Sequence, residues 1–236
     1  MNRLPFLSIL LGALALGQEI PFAVGEELEY TAQFEFIPAG KAFLRVLTVD
    51  TVNGYPTFHV QFLAKTGAVA DRLYKIRDRV DIWIDQKGLF THKQVKRIRE
   101  GNYRKELEMV INYRDSTAIV NNDTNTVDHP LRDPYSLFYY LRTTPLKAGQ
   151  SFHYTTFENN KTTEFQLKVT GKEIVNTPAS TFPSLVVRPF RRGKALFKNQ
   201  GDVQIWFSDD KLRLPVQIQI KLKYGSLLLR LKKVTL

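Results

Sequence analysis

Three carboxylates, Asp78, Asp81 and Asp85, and four histidines, His59, His92, His129 and His153, are the side chains best suited to chemistry in this sequence. On an extended strand Asp81, Trp83 and Asp85 share one side while Ile82 and Ile84 take the other. Two carboxylates beside an aromatic ring could belong to a glycan-cleaving site. Arg77 and Arg79 sit close by, however, and an outward polar face with balanced charges explains the pattern without catalysis. The histidines contain no His-x-His or His-x-x-x-His pair, so their spacing supports no preformed metal site. No Gly-x-Ser-x-Gly elbow and no Gly-rich phosphate loop is present, which removes the main cues for a hydrolase nucleophile and for nucleotide binding. The absence of cysteine excludes thiolate nucleophiles, disulfides, iron–sulfur clusters and Cys-ligated zinc, and two Met leave little for haem or copper. No catalytic residue, metal or cofactor is therefore assigned.

Binding chemistry is better represented. Lys93, Lys96, Arg97, Arg99, Arg104 and Lys105 fall in one short stretch, and Arg188, Arg191, Arg192, Lys194 and Lys198 in another. Alternation puts Lys93, Arg97 and Arg99 on one strand face with Val95. Lys96, Arg97 and Arg99 are the candidate anion-binding residues, with a solvated edge strand protected by charge as the plainer explanation. The formal net charge of +11 favours anionic partners or simply keeps the chain in solution. Phe34, Phe36, Phe58 and Phe62 lie on apolar strand faces, and Phe138 and Tyr139 on an apolar helix. Such rings either interlock as core or line a cavity for an apolar ligand, and sequence does not separate the two.

The elements that must position these residues are mostly strands. Apolar residues alternate with polar ones at Tyr30, Ala32, Phe34, Phe36, again at Phe58, Val60, Phe62, Ala64, and in further runs to Leu227, Leu229, Leu231. Turn signals separate them at Pro38-Ala39-Gly40, Asn53-Gly54, Gln86-Lys87-Gly88, Asn121-Asn122-Asp123, Asp209-Asp210 and Tyr224-Gly225. The pattern predicts an all-β chain, a long antiparallel meander of roughly ten to twelve strands forming a curved sheet, half-barrel or open barrel, with one or two short helices. One helix is predicted over 66–74 with Thr66 as a possible cap. The other starts at Asp133, with Pro134 in the first turn and Tyr135 to Arg142 apolar almost all round. A helix of that kind must be wedged against the concave face of the sheet or close its mouth, and spacings of three and four should bury Tyr135, Phe138 and Tyr139 together.

The N-terminus predicts export. Arg3 precedes the apolar run Leu4 to Leu16, and Ala15-Leu16-Gly17 suits a signal peptidase. The run is shorter than the roughly 20 residues of a membrane-spanning helix, and no cysteine follows it for lipid anchoring. The expected division is a signal peptide at 1–17 and a single β-rich domain at 18–236, in the periplasm or outside the cell, with no nucleic acid as partner.

Val24-Gly25-Glu26-Glu27-Leu28-Glu29-Tyr30, Pro38-Ala39-Gly40-Lys41-Ala42, Asp133 to Arg142, Trp206-Phe207-Ser208-Asp209-Asp210 and Leu214-Pro215-Val216 occur in an order and spacing that resembles the bacterial domain of unknown function 3108. That resemblance implies an exported, mostly β protein of Gram-negative bacteria and brings no catalytic residues. In architecture the chain is also similar to the open half-barrels of periplasmic lipoprotein carriers, in which a curved sheet holds lipid chains under short helices. The expected function is non-enzymatic binding of an apolar or amphiphilic ligand, a lipid or lipoprotein acyl chain, on the concave face. The alternative is an envelope structural or interaction module with a filled core and a basic docking surface; the oligomeric state is left open.

Overall fold

The computed structural model describes residues 20–127, 129–158, 161–190, 200–223 and 225–236, so the expected signal peptide lies outside the described residues. In chain order the elements are β1 (Glu27–Phe34), β2 (Ile37–Val52), β3 (Tyr55–Thr66), α1 (Ala68–Asp71), β4 (Arg77–Asp85), β5 (Thr91–Glu100), β6 (Tyr103–Asn112), β7 (Thr117–Val120), β8 (Asp123–Thr126), α2 (Pro134–Thr143), β9 (Ser151–Glu158), β10 (Lys161–Asn176), β11 (Thr181–Phe190), β12 (Gln200–Ser208), β13 (Pro215–Leu222) and β14 (Gly225–Thr235). All strands join one 14-stranded sheet in the order β8-β7-β6-β5-β4-β3-β2-β1-β14-β13-β12-β11-β10-β9. Every neighbouring pair is antiparallel, as short turns between consecutive strands require.

The sheet curves without closing into a barrel. Its two edges are drawn toward the segment joining β8 to α2. Val127 and Leu131 of that segment pack with Ile111 of β6 and Val120 of β7 but also with Phe157 of β9, and Arg132 bridges to Thr156 of β9. One apolar face therefore lies inside the curve. Two inner clusters share it, one centred on β1 and β10 to β14 and one on β2 to β4, and α2 contributes to both.

Several local expectations change. The first hairpin turns at Glu35-Phe36 rather than at Pro38-Ala39-Gly40, because Gln33 pairs with Pro38 and Phe34 with Ile37. Gly40 is needed there for a different reason: a Cβ would lie 2.1 Å from the Lys65 carbonyl oxygen, so only glycine allows this approach of β2 to β3. The first helix shrinks to Ala68–Asp71, capped by Gly67, because Thr66 is the last residue of β3 and its hydroxyl bonds the Asp71 carboxylate across the turn. The strands number fourteen among the described residues, since β7 and β8, four residues each, are too short to show a period. Asn53-Gly54 makes the expected turn with both residues at positive φ.

Candidate functional site

The sheet has two unlike ends. At the closed end β1 begins, β5 begins and β12 leads into β13, and α2 is fastened to all three. The Asp133 carboxylate caps α2 by accepting from the Tyr135 amide at 2.7 Å and takes the Thr91 hydroxyl of β5 at 2.5 Å. In the last turn Arg142 donates to both oxygens of Glu26, just before β1, at 2.6 and 2.8 Å, to the Pro21 carbonyl at 2.8 Å and to the Leu212 carbonyl at 3.0 Å. With the polar groups at both its ends so satisfied, the helix is a plug rather than a surface element.

Around the plug the candidate aromatics divide. Tyr139 is buried and meets Phe22 edge-on at 4.8 Å, and Phe22 meets Phe58 at 5.4 Å. Phe62 lies 5.1 Å from Tyr135. Phe138 faces the other cluster, toward Phe207 at 6.3 Å. Tyr139 is buried as expected, while Tyr135 and Phe138 are only half-buried, because α2 lies between two clusters and no single face carries all three rings. Phe22 is essential to this packing yet invisible to periodicity, being a lone ring between Pro21 and Gly25 with no strand or helix to announce it.

Away from α2 the inner face of β1, β3 and β12 to β14 stays apolar but loses its cover. Along β1, Leu28 and Tyr30 are buried, Ala32 is half-buried and Phe34 is exposed. Along β3, Val60 is buried and Phe62 and Ala64 are half-buried. The same step runs from Ile205 to Val203 on β12, from Ile218 to Ile220 on β13 and from Leu229 to Leu227 on β14. The open end is thus an apolar mouth. Phe62, half-buried against Tyr135, marks the bottom of its wall and Phe34 its lip, whereas Phe58 lies deeper against Phe22 near the closed end, and Phe36 stands on the β1–β2 turn, 92% exposed, and lines nothing inside.

The polar candidates are committed elsewhere. Asp81 is buried on the outer face, accepting from Gln61 at 2.9 Å and Arg79 at 2.6 Å and bonded to His59 at 3.0 Å, while Arg77 pairs with Asp71 instead. Burial works to raise the Asp81 pKa, but the hydrogen bonds from His59, Arg79 and Gln61 outweigh it and hold the carboxyl well below its ordinary range. A group held ionised in this way cannot serve as the acid of a glycosidase. The Asp85 carboxylate closes the β4–β5 turn on the Lys87 and Gly88 amides at 2.9 and 2.6 Å. His92 is wholly buried, stacked on Tyr55 at 4.9 Å and bonded to Asp85 at 3.3 Å, and burial lowers its pKa against the pull of Asp85.

The basic strand β5 splits its candidates. Arg97 and Arg99 are exposed on the outer face, which they share with the half-buried Lys93, whereas Lys96 faces inward and is buried, so the three do not lie together. Of the second basic group, Arg191, Arg192, Lys194 and Lys198 lie outside the described residues. At the closed end a pocket of about 120 Å³ is lined by Ile20, Leu89, Arg132 and Tyr140 among others, with the Arg132 guanidinium 3.7 Å from the Tyr140 ring centre. Among the described residues no cluster of metal-ligating side chains occurs and no helix is long and apolar enough to cross a membrane.

Comparison with known proteins places this architecture. A family model described as a protein of unknown function, DUF3108, matches residues 29–232. No curated protein matches. Among solved structures, a β-barrel-like protein of domain of unknown function DUF1849 from Brucella abortus superimposes with a TM-score of 0.57 at 12% identity, covering 90% of this chain and 98% of that one. This likeness is one of fold. A protein of Parabacteroides distasonis provisionally described as a lipoprotein has a TM-score of 0.40 at 9% identity over 90% and 96% of the two chains. A Bacteroides fragilis protein provisionally described as exported, with a YmcC-like fold, has 0.34 at 12% over 92% and 98%. The last two are too distant to bear on function.

Proposed function

The chain belongs to the DUF3108 family of proteins of unknown function, and on that premise we propose that it is an exported, non-enzymatic envelope protein that holds the apolar chain of a lipid or lipoprotein at the open end of its sheet. One observation carries this reading. The inner-facing residues of β1, β12, β13 and β14 remain apolar where α2 no longer covers them, at Ala32, Val203, Ile220 and Leu227. A sheet face meant for water would carry polar residues there, as antiparallel strands with one solvated face do. The residues match an apolar ligand that completes the core, with α2 as the floor. Export follows from Arg3, the run Leu4 to Leu16 and the small residues before Gln18, and would leave the domain 18–236.

A fluorescent fatty-acid analogue tests this. Burying about ten methylenes contributes roughly 8 kcal/mol before ordering costs, enough for micromolar affinity if those costs are small. Saturable binding is expected, and Ile220→Glu should abolish it while leaving the closed end folded. Absence of binding by any soluble amphiphile would favour a second reading, an envelope interaction module. The packed closed end supports that second reading, because Tyr139 and Phe207 fill the space around α2 that a ligand would otherwise occupy.

A further inference from the structure

Three neighbouring connections form the rim of the open end: the β1–β2 turn at Glu35-Phe36, the β3–β4 connection containing α1, and the β5–β6 turn at Gly101-Asn102. They are held side by side. The Gly67 amide donates to the Ala39 carbonyl at 2.9 Å, and the Gly101 amide to the Lys75 carbonyl at 2.8 Å, with the Tyr74 ring against Gly101. This stitched rim bears apolar side chains that no part of the described chain covers. Phe36 is 92% exposed, Leu73 83% and Val69 73%, and Ile37, Tyr74 and Tyr103 are exposed beside them. Phenylalanine in a two-residue turn and leucine after a one-turn helix contradict the polar chemistry that such turns favour, and no packing rewards them. At the opposite end the connections have ordinary turn chemistry, Asn53-Gly54, Gln86-Lys87-Gly88 and Asp209-Asp210.

The exposed charges on the rim are mostly positive, with Glu35 the exposed acidic exception. Arg72, Lys75, Arg99 and Arg104 are exposed among the apolar tips. The acidic groups are engaged: Asp71 pairs with Arg77 at 2.5 Å, Asp78 and Glu100 hydrogen-bond each other half-buried, and the Glu35 carboxylate accepts the Ser226 amide. The apolar tips sit on turns and are interleaved with cations rather than ringed by them. Their form suits a fluid interface, where each tip finds acyl chain and each cation finds phosphate.

We propose that this rim docks the protein on the surface of an anionic phospholipid bilayer, with Phe36, Val69 and Leu73 seated among the upper acyl chains and Arg72, Lys75, Arg99 and Arg104 on the phosphates. Tyr74 and Tyr103 take the headgroup level, where aromatic rings with one polar end reside. Docking in this orientation presents the open mouth to the bilayer. The proposal does not depend on the acyl-chain reading, since a rim can dock whether or not the mouth is filled.

Co-sedimentation of protein purified after export, with vesicles of phosphatidylglycerol and phosphatidylethanolamine or of phosphatidylcholine alone, tests it. Binding to the anionic vesicles is expected, weakening with salt as headgroup attraction is screened. Phe36→Ser combined with Leu73→Ser should lower partitioning by about tenfold or more, and Arg72→Gln with Lys75→Gln should reduce binding to anionic vesicles specifically. Both pairs are exposed, so an unchanged melting temperature and unchanged binding of the soluble fatty-acid analogue separate failure of docking from failure of the fold or of the acyl-chain reading. No vesicle binding by the parent protein would overturn the proposal. So would binding that the serine pair leaves intact, because adsorption by net charge alone needs no apolar rim.

Discussion

Glu26 and Arg142, 116 residues apart in sequence, form a two-pronged ion pair at 2.6 and 2.8 Å with both side chains 1% exposed. The pair locks the last turn of α2 to the start of β1, and Arg142 also lies over the Phe22 ring at 5.3 Å. Replacing one partner leaves the other charge buried alone. Glu26→Gln or Arg142→Met should cost about 3–5 kcal/mol, roughly 6–20 °C of melting temperature in a chain of this size. Thermal unfolding followed by circular dichroism checks it. A loss of less than about two degrees would mean that α2 is held by its apolar contacts alone.

Gly40 sits where a methyl group would meet the Lys65 carbonyl oxygen at 2.1 Å and the Thr66 Cα at 2.8 Å. Both obstacles are backbone, so the clash cannot be relieved by a rotamer. Gly40→Ala should destabilise by about 1–3 kcal/mol or more, measured by denaturant titration, whereas Gly67→Ala, with open space around its Cβ position, should be close to neutral.

His92 is buried neutral, its pKa lowered by burial. The unfolded chain takes up a proton near its ordinary value of about 6.5 while the folded chain resists until lower pH. Stability from this residue is therefore complete above about pH 6.5 and is lost as pH falls, by up to about 1.4 kcal/mol per pH unit. His92→Phe, which keeps the ring between Tyr55, Phe90 and Tyr113, should flatten that limb of the stability profile. An unchanged limb would assign the acid sensitivity to other groups.

Asp78 and Glu100 act in the opposite sense. Burial raises both, and for Glu100 the charge and hydrogen bond of Asp78 raise it further. The folded pair retains a proton that the unfolded chain would release, so its contribution is present below the ordinary carboxylate range and is lost as pH rises through the raised values. Asp78→Asn, which keeps the acceptor for the Arg99 amide, should raise the melting temperature at pH 7 and give no gain near pH 4. A gain that is equal at both pH values would contradict the shared proton.

Much of the fold was legible because it is written in short-range physics. Alternation at Val80, Ile82 and Ile84 marks the buried face of β4, Asn53-Gly54 supplies the two positive φ angles of its hairpin, and Asp133-Pro134 begins α2 with a capping carboxylate and a residue lacking a needless donor. Each of these depends on neighbours within a few residues. The family likewise showed through, since its landmarks are turns and caps of this local kind.

The candidate site was another matter. A period of two says that Lys96 and Arg97 face opposite ways, but not which is inside. The curvature of the sheet decides that, burying Lys96 and leaving Arg97 in solvent. Phe34, Phe36, Phe58 and Phe62 look equivalent in sequence, yet distance from α2 separates wall from lip, and a hairpin that turns before Pro38-Ala39-Gly40 carries Phe36 out to the rim. Phe22 joins the core and Asp81 becomes buried only because strands distant in sequence arrive beside them. Strands, faces and caps are local free-energy choices, set by residues close together in the chain. What covers each face, and what is left uncovered at the open end, depends on contacts between residues up to about two hundred positions apart, such as Phe34 with Leu227, and these exist only once the sheet has curved.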